Sequence, residues 1–175
     1  ECKKVVPYVD LPLQHINGRI LKSMNRRGTP EDIKTVLKSF RQELPGCVIR
    51  TSVIVGFPGE TDEEFEELLE FVKDVRFDRL GAFCYSPEEG TPASTMKNKV
   101  RKALKEARYN RLMECQQPIS REINEARIGE VYDVLVEGVS EDGICYYGRS
   151  HAGGPDVDGK IYFTANEPLN TADMD

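Results

Sequence analysis

Apolar and polar positions over the first 95 residues alternate between two rhythms. Val5-Val6-Pro7-Tyr8-Val9-Asp10-Leu11-Pro12-Leu13 reads as a strand, interrupted by two prolines that cannot donate to a ladder. A short helix follows over residues 19–24. Thr29-Pro30-Glu31-Asp32 opens a stronger one: Thr29 can cap, Pro30 suits the first turn, and the acids favour its positive end. Ile33, Val36, Leu37, Phe40 and Leu44 fall on one face at helical spacing, and Pro45-Gly46 stops the helix. Residues 47–55 form a second strand, whose terminal apolar run predicts burial. Gly56-Phe57-Pro58-Gly59-Glu60 is a tight turn. Thr61 and Glu64 make a capping box for a helix with Phe65, Leu68, Leu69, Val72 and Val75 as its buried stripe. Residues 80–85 are a third strand ending at Ser86-Pro87. This alternation predicts a parallel sheet with crossover helices.

After a linker at residues 92–98, residues 99–127 are long, charged and helical, with Pro118 expected to kink or split them. From Gly129 the grammar changes. Residues 130–139, 143–150 and 159–164 predict short strands separated by turn-rich segments. They read as a small antiparallel β-domain, barrel-like, with no closing strand before Asp175. The expected organisation is an α/β region over residues 1–127 and a β-domain over residues 128–175.

Composition narrows the classes. With 175 residues, 39% apolar and 31% charged, the chain suits one domain or one and a half. No apolar run approaches a membrane helix, so a helical membrane protein is excluded. Glu1-Cys2-Lys3-Lys4 is followed by no signal-like stretch. The five cysteines are scattered without a Cys-x-x-Cys, which predicts reduced thiols and a cytoplasmic protein. No metal-ligand spacing occurs, so no metal residue is assigned; His15 and His151 are expected to pack or hydrogen-bond. Net charge is −6, unevenly placed: residues 1–127 carry +2, whereas residues 128–175 set Arg149 and Lys160 against ten acids, a net −8. That tail is either a solvated acidic surface or a domain that meets something basic.

In parallel βα architectures, sites gather at the C-terminal ends of strands. Three ends are visible, at Gln14-His15, at residues 54–61 and at residues 84–87. The second brings backbone close to whatever lies over the sheet, through two glycines and a proline. Glu60 would repel a phosphate and no P-loop lysine is present, so the turn suits a neutral or cationic ligand, or is simply a tight connection. Glu88-Glu89 reads as a solvated pair. Asn17, Asn25, Arg26 and Arg27 fit substrate contact or surface ion pairing.

At these residues the chain resembles a known family. Tyr8-Val9-Asp10-Leu11-Pro12-Leu13-Gln14-His15, Leu21-Lys22-Ser23-Met24-Asn25-Arg26, Val55-Gly56-Phe57-Pro58-Gly59-Glu60-Thr61 and Tyr85-Ser86-Pro87-Glu88-Glu89-Gly90-Thr91-Pro92-Ala93 are similar, in order, to the radical S-adenosylmethionine methylthiotransferases. Residues 128–170 resemble that family's TRAM domain. Pro12-Leu13-Gln14-His15 stands where the tRNA-modifying branch has Pro-Val-Gln-Ser-Gly-Ser. Residues 148–159 are similar to the ribosomal-protein branch, which commonly has Tyr at His151, Asp at Gly153 and Ala at Gly154. An acidic tail fits that branch, because an RNA-binding barrel should be basic.

The resemblance implies the C-terminal half of a partial radical SAM (TIM-like) barrel followed by an incomplete antiparallel TRAM β-barrel. It implies an enzyme that cleaves S-adenosylmethionine reductively on one 4Fe-4S cluster and abstracts hydrogen from an aspartate β-carbon of a small-subunit ribosomal protein. A second 4Fe-4S cluster would supply or carry sulfur, and a second S-adenosylmethionine the methyl. The family's Cys-x-x-x-Cys-x-x-Cys loop and its three further cluster cysteines do not occur here, so this chain alone is expected to be inactive and is assigned no catalytic residue. Gln14, Ser52, Gly56, Phe57, Pro58, Gly59, Phe83 and Tyr85 are the implied walls of the S-adenosylmethionine site, while Glu60 and Thr61 hold the turn and cap the helix. Arg149, Asp156 and Asp158 are the implied docking residues for the ribosomal protein, with tRNA and membranes not expected as partners. The rival readings are the tRNA-modifying branch, a non-catalytic binding module, and a phosphate-binding βα enzyme using residues 55–61.

Overall fold

The computed structural model describes residues 5–169. Two compact units divide the chain, one of Val9–Arg127 and one that draws on Glu1–Tyr8 and Ile128–Asp175.

The first unit is built on a three-stranded sheet in the order β1-β2-β3, with β1 at Tyr8–Gln14, β2 at Val48–Val55 and β3 at Arg79–Cys84. β2 and β3 run parallel, with Ile54 opposite Phe83 and Ser52 opposite Gly81. Helices α1 (Gly18–Ser23) and α2 (Pro30–Glu43) connect the first two strands, and α3 (Asp62–Val75) connects the second two. α4 (Lys102–Ala126) follows β3. Both expected caps form. Thr29 closes a capping box with Asp32, and Thr61 closes one with Glu64. Three acids in the first turn of α3 face its positive end.

The strands sort their side chains by period two. Ile49, Val53 and Val55 of β2 point to the face packed by Leu68, Val72, Leu112 and Ile119 of α3 and α4, with Val9, Leu11 and Leu13 of β1 beside them. The opposite face is open: Asp10 and Pro12 are exposed, Ser52 and Ile54 half-buried, and Phe83 is 56% exposed. The burial expected of the β2 apolar run therefore holds fully for Val53 and Val55 and only in part for Ile54, although Val48, at the start of the strand on that same face, is fully buried.

Two further expectations change. The α2 stripe is narrower than its spacing predicts: Leu37 is buried, but Val36 and Leu44 are 45% and 38% exposed. α2 touches the core along one line, which leaves the flanks of its apolar arc in water. Pro118 does not split the long helix; α4 runs through it as one element. A proline removes one ladder bond, and Leu112 and Ile119, both buried on either side of it, keep the two halves packed on the same core. At the far end of α4, Arg127 meets buried Asp78 at 2.9 Å, and Asp78 also accepts from Arg41 and from the Ile49 N–H. This ties the helix to the N-terminal side of β3.

In the second unit β4 (Leu135–Val139), β5 (Tyr146–Arg149) and β6 (Ile161–Phe163) form an antiparallel sheet in that order. Three expected strands appear, shorter than predicted, and the described residues close no barrel; residues 170–175 lie outside the description. Gly148 is obligatory here, since a Cβ at that position would sit 2.1 Å from the Leu135 carbonyl oxygen.

Candidate active-site cleft

The C-terminal ends of β1, β2 and β3 meet at a cleft of about 400 Å³, bounded by Gln14, Met24, Arg26, Phe57, Tyr85 and Pro92 among others. Gln14 leaves β1 with φ 71, in the left-handed region that costs a non-glycine residue on the order of 1 kcal/mol. Such strain at a strand end is characteristic of ligand sites. Phe57 and Tyr85 stand edge to face, centroids 5.2 Å apart. The Tyr85 hydroxyl is buried and makes no hydrogen bond among the described residues. A buried O–H without a partner carries a desolvation cost of about 1–3 kcal/mol, which a bound polar ligand would remove.

Beneath this cleft lies a buried ionic centre. Glu60 Oε2 accepts from the N–H groups of Gly56 at 2.8 Å and Phe57 at 3.3 Å, and its Oε1 accepts from Arg108 Nη1 at 2.8 Å. Arg108, 3% exposed, also reaches Asp62 at 2.6 Å and lies over the Phe65 ring. His15 is fully buried; its Nδ1 accepts from the Asn17 N–H at 3.0 Å, and its Nε2 stands 3.8 Å from Glu60, beyond a hydrogen bond. Burial holds the His15 imidazole down to about 4, with Arg108 and Arg19 adding to the effect and Glu64 opposing it. Burial pushes the Glu60 carboxyl up, against the pull of Arg108 and the two N–H groups. His15 is thus neutral and structural, as its isolation in the sequence suggests.

The eight implied cofactor residues separate into groups. Gln14, Phe57 and Tyr85 line the cleft together. Ser52 and Phe83 lie on the open sheet face, and Gly81 beside Phe83 has no side chain to obstruct it. Gly56, Pro58 and Gly59 shape the turn without lining the cleft: Gly56 and Gly59 have φ 73 and 82, the Gly59 N–H donates to the Asn98 carbonyl, and Arg19 donates to the Gly59 carbonyl. Glu60 holds the turn and Thr61 caps α3, both as expected. Asn25 and Arg26 line the cleft, whereas Asn17 is spent on capping α1.

The glycines differ in a measurable way. A Cβ at Gly56 would lie 2.4 Å from Lys105 Cγ, whereas at Gly59 the nearest atom is an Arg19 nitrogen at 3.8 Å. Gly56→Ala is therefore expected to cost about 2–4 kcal/mol in urea unfolding, from strain plus overlap, and Gly59→Ala only about 1 kcal/mol from strain. Equal losses would mean that Lys105 yields freely.

The contributions of α4 escaped the sequence reading. Lys102, Lys105, Arg108 and Arg111 recur every third residue, and residues 60–67 are an acidic run. Three of the four find partners across the fold: Lys105 donates to the Tyr85 carbonyl at 2.7 Å, Arg108 meets Glu60 and Asp62, and Arg111 meets Glu66 at 2.5 Å. That three-residue ladder is a signal; in isolation it reads as a solvated helix face.

In the second unit, Arg149 borders a cleft of about 590 Å³ with Tyr8, Leu135, His151 and Pro155, and its guanidinium is paired to Glu137 at 2.5 Å. Asp158 is used internally, accepting from the Gly154 N–H and the Tyr8 hydroxyl, both at 2.8 Å. Asp156 is exposed.

Sequence and structure comparisons define the class. Residues 1–72 match the Radical SAM superfamily and residues 128–174 the TRAM domain. The chain thus carries a segment similar to the Radical SAM superfamily followed by one similar to the TRAM domain. It is 53% identical over 95% of its length to a protein of Acetivibrio thermocellus named ribosomal protein uS12 methylthiotransferase RimO, covering 37% of that protein. Proteins of the same name from Clostridium botulinum (strain Okra) and Alkaliphilus oremlandii are 48% and 43% identical over 98% and 97% of the chain. The chain spans about two-fifths of the length of these curated relatives. Among solved structures, coproporphyrinogen III oxidase (HemN) from Escherichia coli, described as a radical SAM enzyme, aligns with TM-score 0.56 and 15% identity over 83% of this chain and 39% of that one. That likeness concerns the fold.

Proposed function

We propose that this chain supplies the S-adenosylmethionine cleft and the substrate-docking domain of a cytoplasmic methylthiotransferase that modifies an aspartate of ribosomal protein uS12. The observation that carries the cofactor assignment is the cleft where β1, β2 and β3 end, with the partnerless Tyr85 hydroxyl and the Phe57–Tyr85 pair at its wall. A planar purine suits an aromatic wall, and the faces of such rings favour the positive charge of a sulfonium. Gln14, Phe57 and Tyr85 would hold the cofactor, with Ser52 and Phe83 on the adjoining open face. Bound there, S-adenosylmethionine supplies a transferable methyl and a reducible sulfonium. The protein's own part is to orient it and exclude water.

Iron–sulfur clusters do not fit these residues. Among the described residues no three His, Cys, Asp or Glu side chains gather as a metal site, so no step is assigned to a cluster through this chain. No helix among the described residues is long and apolar enough to cross a membrane.

The docking assignment rests on charge. Residues 128–175 carry a net −8, which favours a basic protein surface over RNA. Each exposed pair contributes on the order of 0–1 kcal/mol, so the attraction is collective and salt-sensitive. Asp156→Lys with Glu141→Lys, both exposed, should lower the on-rate for uS12 and raise tRNA affinity, leaving the Asp158-held loop intact. Surface-bound uS12 and tRNA titrated at two salt concentrations read this directly. The activity itself is tested by restoring the intact gene to a deletion strain and weighing uS12 and tRNA; mass gained by tRNA would transfer the assignment to the tRNA-modifying branch.

A further inference from the structure

α4 lies outside the strand-end motifs, yet two of its side chains, one turn apart, hold the cleft's aromatic pair: Lys105 meets Tyr85 directly, and Arg108 meets Glu60, whose carboxylate binds the Phe57 N–H. Lys105 Nζ donates to the Tyr85 carbonyl at 2.7 Å and stands 5.2 Å from the Tyr85 ring centroid. Its aliphatic stem fills the space over Gly56 that a Cβ would occupy. Arg108 holds Glu60 Oε1, and the other oxygen of that carboxylate holds the N–H groups of Gly56 and Phe57. The Glu60 carbonyl accepts a further, longer bond from Arg108 at 3.3 Å. Phe57 and Tyr85 touch each other, so the two holds converge on one aromatic pair. Tyr85 N–H also donates to the Val55 carbonyl at 2.9 Å, which fixes the backbone between them.

We infer that Lys105 and Arg108 are positioning residues for the ligand cleft: α4 sets the Phe57–Tyr85 wall through the Tyr85 carbonyl and the Glu60-bound turn. Neither side chain lines the cleft, so each acts through another residue. Charge-assisted bonds in a partly or fully buried setting hold geometry better than neutral ones, and here they span elements 20 and 48 residues apart in sequence. The inference rests on the cleft being the S-adenosylmethionine site.

The test uses the full-length protein that carries this chain, with labelled S-adenosylmethionine in equilibrium dialysis at a temperature well below unfolding. Lys105→Met keeps the stem over Gly56 and removes the ammonium; Arg108→Lys keeps a buried charge and loses the fork. Each should weaken binding about tenfold, the order expected for losing one charge-assisted hydrogen bond. Lys105→Arg, which restores a cationic donor, should recover most of the loss. Hydrogen exchange at the Phe57 and Tyr85 amides should quicken in Lys105→Met. Arg127→Met is the stability control: it breaks the Asp78 pair at the opposite end of β3 and should lower the melting temperature without changing affinity. If the unaltered protein fails to bind S-adenosylmethionine, the cleft assignment falls. If it binds, and Lys105→Met and Arg108→Lys bind as tightly or no worse than Arg127→Met, the positioning role is overturned while the cleft assignment stands. Should Arg108→Lys not fold, Lys105→Met alone decides.

Discussion

Arg108→Met is expected to cost about 3–5 kcal/mol of folding stability in this chain, the largest effect of any single charge removal here. Arg108 is 3% exposed and Glu60 is 5% exposed, so methionine would leave the carboxylate buried without its countercharge. The two N–H groups from Gly56 and Phe57 would remain, which keeps the loss from growing larger. Methionine fills much of the vacated volume and can still pack on Phe65, so the effect isolates charge more than cavity. The surface pair of Arg111 and Glu66 is the contrast: both are about half exposed, and Arg111→Met should change stability by under about 1 kcal/mol. Urea unfolding of both variants measures the difference. A double variant with Glu60→Gln should recover part of the Arg108 loss, because the amide no longer needs a cation. Equal effects from Arg108→Met and Arg111→Met would show that water reaches Glu60.

The second large effect is acid sensitivity. His15 is held down to about 4 in the fold, while an unfolded histidine titrates near 6.5. Between those values the unfolded chain takes up a proton that the folded chain refuses, so stability is complete above pH 6.5 and falls as pH drops through this window. The loss reaches about 3 kcal/mol near pH 4. Glu60 acts in the opposite sense: its carboxyl is raised by burial, so the folded state binds that proton more readily and regains some stability toward the acid end. Glu64, Arg108 and Arg19 are the other charges that act on the imidazole, and Glu64 alone of these favours its protonation. His15→Gln removes the titration and leaves the carboxylates in place. The difference between the unfolding free energies of the two proteins should change by about 3 kcal/mol from pH 7.5 to pH 4. A constant difference would mean that the imidazole is hydrated in the folded chain.

The chain's own grammar carried the local structure. Thr29 and Thr61 could be placed as caps because a hydroxyl three residues before a carboxylate satisfies two orphan donors within one turn. The α3 stripe was legible because Phe65, Leu68, Leu69 and Val72 repeat at helical period over a helix that lies flat on the core. The turn at residues 56–60 was legible through its two glycines, both of which have positive φ. Pro118 allowed a split or a kink, and the burial of Leu112 and Ile119 around it keeps α4 a single element, which excludes the split. Val36 and Leu44 misled because spacing gives the direction of a face and not its width.

The site was legible in parts. Gln14, Phe57 and Tyr85 could be nominated because strand ends concentrate in one place in a parallel sheet, and the fold brings these three to one cleft. Asp158 could not be distinguished from Asp156 by sequence, since only the loop's path turns one carboxylate inward to the Gly154 N–H and leaves the other in solvent.

The sequence by itself determined what depends on neighbours along the chain: periodicity, caps, turns, the −8 tail and the motifs that mark the family. The tertiary structure alone decided which charges are buried and paired. Arg108 and Arg111 are three residues apart on one helix, and in the sequence they are equivalent members of a basic ladder. Crossing of α4 over the β2–α3 turn buries the first against Glu60, 48 residues away, and leaves the second half in water. The energy of a charge depends on the dielectric around it, and that is set by packing between distant segments, which no local pattern encodes.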